Sequence, residues 1–166
     1  MKQALKLIFL FTIYLPVAFT PLVFAKSNLS DKIKPTPQQS YPGSPSYPLK
    51  RLSEKVFLKF LFFPNLRINF EKNLLDKRFS ELIFVVDNDL LDEIQRSSER
   101  FAYEAGIYTN DLLNGSKESK EKVKADFNQY TQNLQLVRDV YPANSSYWML
   151  IEHDINSLKI LSSRLD

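Results

Sequence analysis

The sequence predicts an all-α protein built from long amphipathic helices, and three observations favour this class. Apolar residues recur at spacings of three and four along most of the chain after residue 47. Only three glycines occur in 166 residues, which is too few for a protein rich in β-turns. The composition, 44% hydrophobic and 25% charged, is that of a chain able to fold. We expect a helical hairpin or small bundle after an N-terminal signal segment and a disordered linker.

The first 25 residues have the pattern of an export signal. Lys2 and Lys6 form a short positive region, residues 7–25 are almost wholly apolar, and Ala25 completes a suitable cleavage site. We expect cleavage after Ala25, since two prolines interrupt the apolar run. The alternative is an uncleaved membrane anchor, because the 19 residues from 7 to 25, at about 1.5 Å each, nearly span a hydrocarbon core of roughly 30 Å.

Residues 26–46 have the composition of a Pro/Ser-rich linker. Four prolines stand among serine, glutamine and threonine, and the stretch has little to bury. We expect an extended tether that separates a helical domain, residues 47–166, from a membrane or wall.

The first long helix is expected to begin at about Pro48, where a proline costs no hydrogen bond, and to end near Phe62. Pro64 should terminate it and begin the next helix. The apolar face of an amphipathic helix usually packs on a core. Here that face contains Leu49, Leu52, Val56, Phe60 and Phe63, and Phe57 and Leu61 make it wider.

The second long helix is expected from Pro64 to about Val86. Its apolar residues form a broad stripe, and charged residues occupy the rest of the surface. The run from Leu82 to Val86 would also fit a buried strand, but the sequence offers it no partner strand, so we interpret it as helical.

A third helix should follow the polar residues 87–89, whose side chains are suited to cap its first turn. These residues do not form a calcium loop, because the position that needs glycine is Asp92. The helix should end at Asn114 and Gly115.

The fourth helix, Ser116 to Tyr141, has the most regular heptad-like face in the chain. With the helix before it, we expect an antiparallel hairpin. Pro142 should end it, and Asn144 or Ser145 should cap a last helix.

The entry to the helical part resembles a known bacterial family. The segment SPSYPLKRLSEKVFLKFLFFP at 44–64, followed by KRFSEL at 77–82, is similar to the family catalogued as domain of unknown function 5667. The matching residues are Ser44, Pro45, Tyr47, Pro48, Leu49, Lys50, Glu54, Lys55, Pro64, Arg78 and Glu81. The resemblance implies an exported protein with a Pro/Ser-rich spacer and long charged helices. It implies no activity, so we expect a structural role for these motif residues.

The charge is nearly balanced overall but uneven along the chain. The net charge of +3 falls to +1 without Lys2 and Lys6, which argues neither for nucleic acid nor for a membrane. Residues 48–86 hold eight basic and four acidic groups, whereas 87–115 hold two basic and seven acidic groups. These two stretches should therefore be neighbouring helices with complementary faces; the alternative is a basic surface for a polyanion.

The sequence lacks the motifs of most catalytic and metal sites. It has no cysteine, and the neighbours of His153, the only histidine, point to other sides of a helix. No phosphate-binding loop, nucleophile elbow or paired zinc-ligand motif occurs. We expect no enzyme activity, no cofactor and no catalytic or metal-binding residues. Interhelical ion pairs are expected from four arginines: Arg67, Arg78, Arg96 and Arg100.

These observations predict an exported, non-catalytic helical module that interacts with an envelope protein or polymer. A membrane-anchored extracytoplasmic sensor or regulator is the first alternative, with membrane contact only if residues 7–25 are retained. A basic-surface binder of polyanions or nucleic acid is the second, although we do not expect nucleic acid. A second copy of the chain is also a candidate partner, because two helices carry wide apolar faces.

Overall fold

The computed structural model describes residues 28–38 and 40–166, and this part of the chain is all-α. It contains six helices and no strand: α1 Leu29–Ile33, α2 Tyr47–Phe60, α3 Pro64–Asp87, α4 Leu91–Leu112, α5 Lys117–Arg138 and α6 Ser146–Ser163. The predicted fold class is confirmed. The predicted export segment, residues 1–25, lies outside the described residues.

Local sequence signals set the starts of four of the five helices α2 to α6. Pro48 lies in the first turn of α2, and Pro64 is the first residue of α3. The Ser116 hydroxyl accepts from the Ser119 amide at 3.2 Å, and the Ser145 hydroxyl accepts from the Trp148 amide at 3.3 Å. Both serines therefore act as N-caps, of α5 and α6 respectively, and Ser145 is one of the two caps that the sequence predicts for α6.

The prediction for residues 87–89 is wrong. No side chain caps α4, whose N-cap residue is Leu90. The Asp87 carboxylate instead accepts from the backbone amides of Leu29 and Ser30, at 2.9 and 2.8 Å. Asp87 is the last residue of α3, and its carboxylate meets the free amides at the start of α1. It therefore caps a helix 57 residues away in sequence.

The four long helices α3 to α6 enclose the core. The most extensive packing is between α3 and α4, followed by α5 with α6 and α4 with α6. The expected hairpin partners α4 and α5 touch each other much less. At the centre, the rings of Phe79, Phe101 and Tyr130 lie 5.1–5.6 Å apart in pairs, which joins α3, α4 and α5.

The stretch predicted to be a tether lies on the helices over much of its described length. It includes α1, whose Leu29 side chain is buried in the core. Further along, the Tyr41 ring stacks on the Phe84 ring of α3, with 4.0 Å between centroids. The Leu29 and Tyr41 contacts explain why this stretch is not an extended tether. The Pro/Ser-rich composition gave no sign of two such apolar contacts.

Candidate functional site

The helix α2 is inverted relative to an ordinary amphipathic helix. Of its residues, Tyr47 and Glu54 are buried. Its apolar stripe faces solvent instead, with Leu49 71% and Phe60 68% exposed. The rule that the apolar face packs on the core therefore fails for this helix. Polar contacts beneath α2 explain why.

Arg78 of α3 forms the centre of these contacts. Its side chain is only 2% exposed. One guanidinium nitrogen, Nη1, donates to Glu81 Oε1 at 2.7 Å, and the other, Nη2, donates to Glu54 Oε2 of α2. A buried arginine bonded to two carboxylates ties α2 to α3 by charge-assisted hydrogen bonds.

Glu81 accepts two further hydrogen bonds from α2. The Lys50 ammonium donates to Glu81 Oε1 at 2.8 Å, and the Tyr47 hydroxyl donates to Glu81 Oε2 at 2.7 Å. Burial alone would raise the pKa of Glu81, but the Arg78 charge and the bonds from Lys50 and Tyr47 outweigh it and lower the pKa. Burial and the same carboxylate raise the pKa of Tyr47 to about 12. Glu81 is therefore ionised and Tyr47 neutral at physiological pH.

A cation from α4 completes the anchor. Arg100 donates from Nη1 to the Tyr47 hydroxyl at 3.2 Å, and its guanidinium lies 5.3 Å from the centre of the Tyr47 ring. The Lys50 ammonium lies 5.5 Å from the same ring. The Tyr47 ring thus makes two cation–π contacts and links α2 to α4 as well as to α3. We call Tyr47, Lys50, Glu54, Arg78, Glu81 and Arg100 the anchor cluster.

Glu104 of α4 lies near the anchor cluster and was not predicted. It is 5% exposed, and its pKa is raised by burial, although the Arg78 and Arg51 charges act against that. Its Oε1 has no hydrogen-bond partner among the described residues. Burial therefore favours the protonated form of this carboxyl group.

With its polar side held in this way, α2 presents a continuous apolar surface that extends through the corner into α3. We call it the outer face: Leu49, Leu52, Val56, Phe57, Phe60, Phe62, Phe63 and Leu66, each 46–80% exposed. The Phe57 ring packs against the ring of Phe70 of α3, with 4.9 Å between the ring centroids. Large exposed apolar patches are typical of interaction sites, which makes the outer face a candidate site.

The exposed charges of α2 beside the outer face are basic. Lys55 and Lys59 are exposed on α2, whereas Lys50 and Arg51 are half-buried. Glu54 is the only acidic residue of α2, and Arg78 neutralises it in the anchor cluster. The outer face is therefore an apolar strip with a positive border.

The structure brings five of the predicted motif residues together and separates the others. Those in the anchor cluster are Tyr47, Lys50, Glu54, Arg78 and Glu81. Outside it, Pro48 and Pro64 begin helices, Leu49 belongs to the outer face, and Pro45 and Lys55 are exposed. The sequence analysis named Arg100 only as a partner in an interhelical ion pair, not as a contact of Tyr47, and it missed Glu104. Their spacing of four on α4 puts both on one helix face, the one signal that could have suggested them.

The predicted interhelical ion pairs form for two of the four arginines. Arg78 pairs with Glu54 of α2, and Arg67 of α3 lies 2.6 Å from Asp111 of α4. Arg96 and Arg100 pair only with Glu93 of their own helix among the described ion pairs, so that part of the prediction is wrong.

A second polar site lies between α3 and α5. Here the Tyr130 hydroxyl donates to Asp76, and Lys72 donates to the same carboxylate at 2.8 Å. The cavity in front of them holds about 210 Å³. Its acidic groups are already bonded to protein donors or lie near Lys72, and no group of three potential metal ligands occurs in the described part of the chain. This cavity is therefore a weaker candidate than the outer face.

No match to this chain is found among protein-family models, curated proteins or solved structures. Within the described ranges, none of the helices combines the length and the hydropathy needed to cross a membrane. The site must therefore be interpreted from its own geometry.

Proposed function

We propose that this protein is an exported, non-catalytic helical module that docks onto a component of the cell envelope through the outer face of α2. The observation that carries the proposal is the orientation of α2. Its polar residues Tyr47, Lys50 and Glu54 are held in the anchor cluster, and its apolar side is left in solvent.

The cost of leaving apolar side chains in water supports this proposal. Burying apolar area is worth roughly 25 cal/mol per Å², so eight large exposed side chains forgo a stabilisation that a binding partner could supply. The anchor cluster fixes α2 in advance, so little ordering of this helix is needed when a partner binds. The export part of the proposal rests on the sequence of residues 1–25, and the non-catalytic part on the absence of catalytic motifs.

Protection of a single thiol tests the docking proposal. Ser53 is exposed between the apolar residues of α2, and the natural chain has no cysteine, so Ser53→Cys places one reactive thiol on the outer face. The purified variant should react readily with a membrane-impermeant maleimide. In cells that export the protein, the same thiol should be protected.

A matched control is Gln132→Cys, which places the thiol on an exposed position of α5. It should react equally in purified protein and in cells. If the Ser53→Cys thiol reacts in cells as fast as in the purified protein, the outer face is unoccupied there and the docking proposal fails.

A further inference from the structure

The border of the outer face restricts the chemistry of its partner. The exposed charged side chains of α2 are Lys55 and Lys59, and the single acid of the helix is buried against Arg78. A partner must therefore combine an apolar interior with an anionic surface layer. A bilayer that contains anionic lipids has both within the depth of one helix.

The shape of the outer face also favours a lipid surface. Its side chains protrude: Phe62 is 80% exposed and Phe63 70% exposed at the corner between α2 and α3. Side chains exposed to this degree suit a deformable medium, in which an interfacial helix buries its apolar face about 5–10 Å deep. The lysine stems can extend along such a face while their ammonium groups reach the headgroups.

We infer that the outer face of α2 is a membrane-surface site that binds anionic phospholipid headgroups through Lys55 and Lys59 and inserts its apolar side chains among the acyl chains. The inference rests on the proposed docking function and names its partner. The contact it describes does not require residues 7–25 to remain in the membrane, because α2 lies parallel to the surface rather than across it.

The experiment uses the full chain and a probe that reports on α2 alone. The thiol of Ser53→Cys is labelled with an environment-sensitive fluorophore and mixed with phosphatidylcholine vesicles, with or without phosphatidylglycerol. We expect a blue shift only with phosphatidylglycerol, and loss of that fluorescence when the vesicles carry nitroxide-labelled lipid. A label at Gln132→Cys on α5 should show neither change, even if residues 1–25 attach the chain to vesicles.

The basic border is tested by reversing its charge. Lys55→Glu combined with Lys59→Glu should weaken the vesicle affinity reported by the Ser53 label by at least about thirtyfold, which is the effect of losing the two positive charges alone. The matched pair Lys122→Glu and Lys159→Glu, both exposed on other helices, should leave the response unchanged. Unfolding curves establish that each variant is folded.

Two results would overturn the lipid inference. One is the absence of a blue shift of the Ser53 label with phosphatidylglycerol vesicles. The other is an equal blue shift with vesicles of phosphatidylcholine alone. If the thiol is nevertheless protected in cells, the partner is a protein or a second copy of the chain, and the docking proposal survives. If protection in cells is also absent, both proposals fail.

Discussion

At the scale of single residues, the cost of burying charge decides how α2 is attached. Arg78 is buried among three helices, and its two carboxylate partners, Glu54 and Glu81, are nearly inaccessible to water. Bringing these ions out of water is expensive, so the cluster is stable only while each charge keeps its counter-charge. Removing one member should therefore cost more than its own hydrogen bonds.

Arg78→Met should lower the free energy of unfolding by about 3 kcal/mol, because it removes the cation that two buried carboxylates share and leaves Glu81 with Lys50 alone and Glu54 with the more distant Lys77. Urea denaturation followed by circular dichroism measures the change. Arg96→Met is the matched control, since Arg96 is 66% exposed in its ion pair and should cost less than about 1 kcal/mol. Equal losses in the two variants would contradict this account of the cluster.

Asp154 supplies a prediction about pH. It is 2% exposed and accepts from the Ser98 hydroxyl at 2.7 Å. Burial raises its pKa to about 7; the Ser98 bond opposes this and Glu99 adds to it. Because the folded-state pKa is above the unfolded one, the stabilisation is complete below about pH 4 and is lost as pH rises towards 7.

Asp154→Asn removes this titration. Relative to the natural protein, the variant should gain on the order of 3 kcal/mol in unfolding free energy between pH 4 and pH 8. Urea unfolding at a series of pH values measures the difference. Asn156→Ala, an exposed change on the same helix, should track the natural protein at every pH. A difference between Asp154→Asn and the natural protein that stays constant across this range would show that Asp154 does not titrate there.

At the scale of helices, α2 is amphipathic but does not bury its apolar face. The outer face contributes little to the fold, because its side chains remain in water. Phe60→Gln should therefore change the unfolding free energy by less than about 0.5 kcal/mol. Leu82→Ala, at a fully buried position of α3, should cost about 2–5 kcal/mol. Thermal or urea unfolding measures both, and a large loss for Phe60→Gln would mean that the outer face packs on the fold after all.

Helix positions were predictable from the sequence, whereas the orientation of α2 was not. Pro64, Ser116 and Ser145 act within one turn of themselves, so their effects can be read locally. The hydrogen bonds that attach α2 to α3 and α4 instead join residues 24 to 53 positions apart, such as Glu54 with Arg78 and Tyr47 with Arg100. Hydrophobic periodicity identifies the apolar face of a helix. It does not show whether that face or the polar face contacts the other helices.

At the scale of the whole molecule, the helices must supply the stability without covalent help. The chain has no cysteine, so no disulfide can offset weak packing. The core formed by α3 to α6 is continuous, whereas α2 is held at its edge by polar contacts. A partner for α2 can therefore bind or leave without disturbing the core.

The destination of the protein is also a property of the whole chain. We predict that the exported product begins at Lys26, so that its mass is lower by residues 1–25 in whichever fraction contains it. Intact mass spectrometry of soluble and membrane fractions measures this. A membrane-bound product that retains Met1 would contradict cleavage and would favour the anchored sensor.

The bond between Asp87 and the first turn of α1 limits how far the domain can stand from a bilayer. It holds the backbone at Leu29, only four residues after Ala25, and four residues reach at most about 14 Å. If the apolar run 7–25 stays in a membrane, the domain has no stalk and rests at headgroup height. If that run is removed, the new amino terminus lies within the same radius of Asp87, and any fusion placed there would crowd the end of α3.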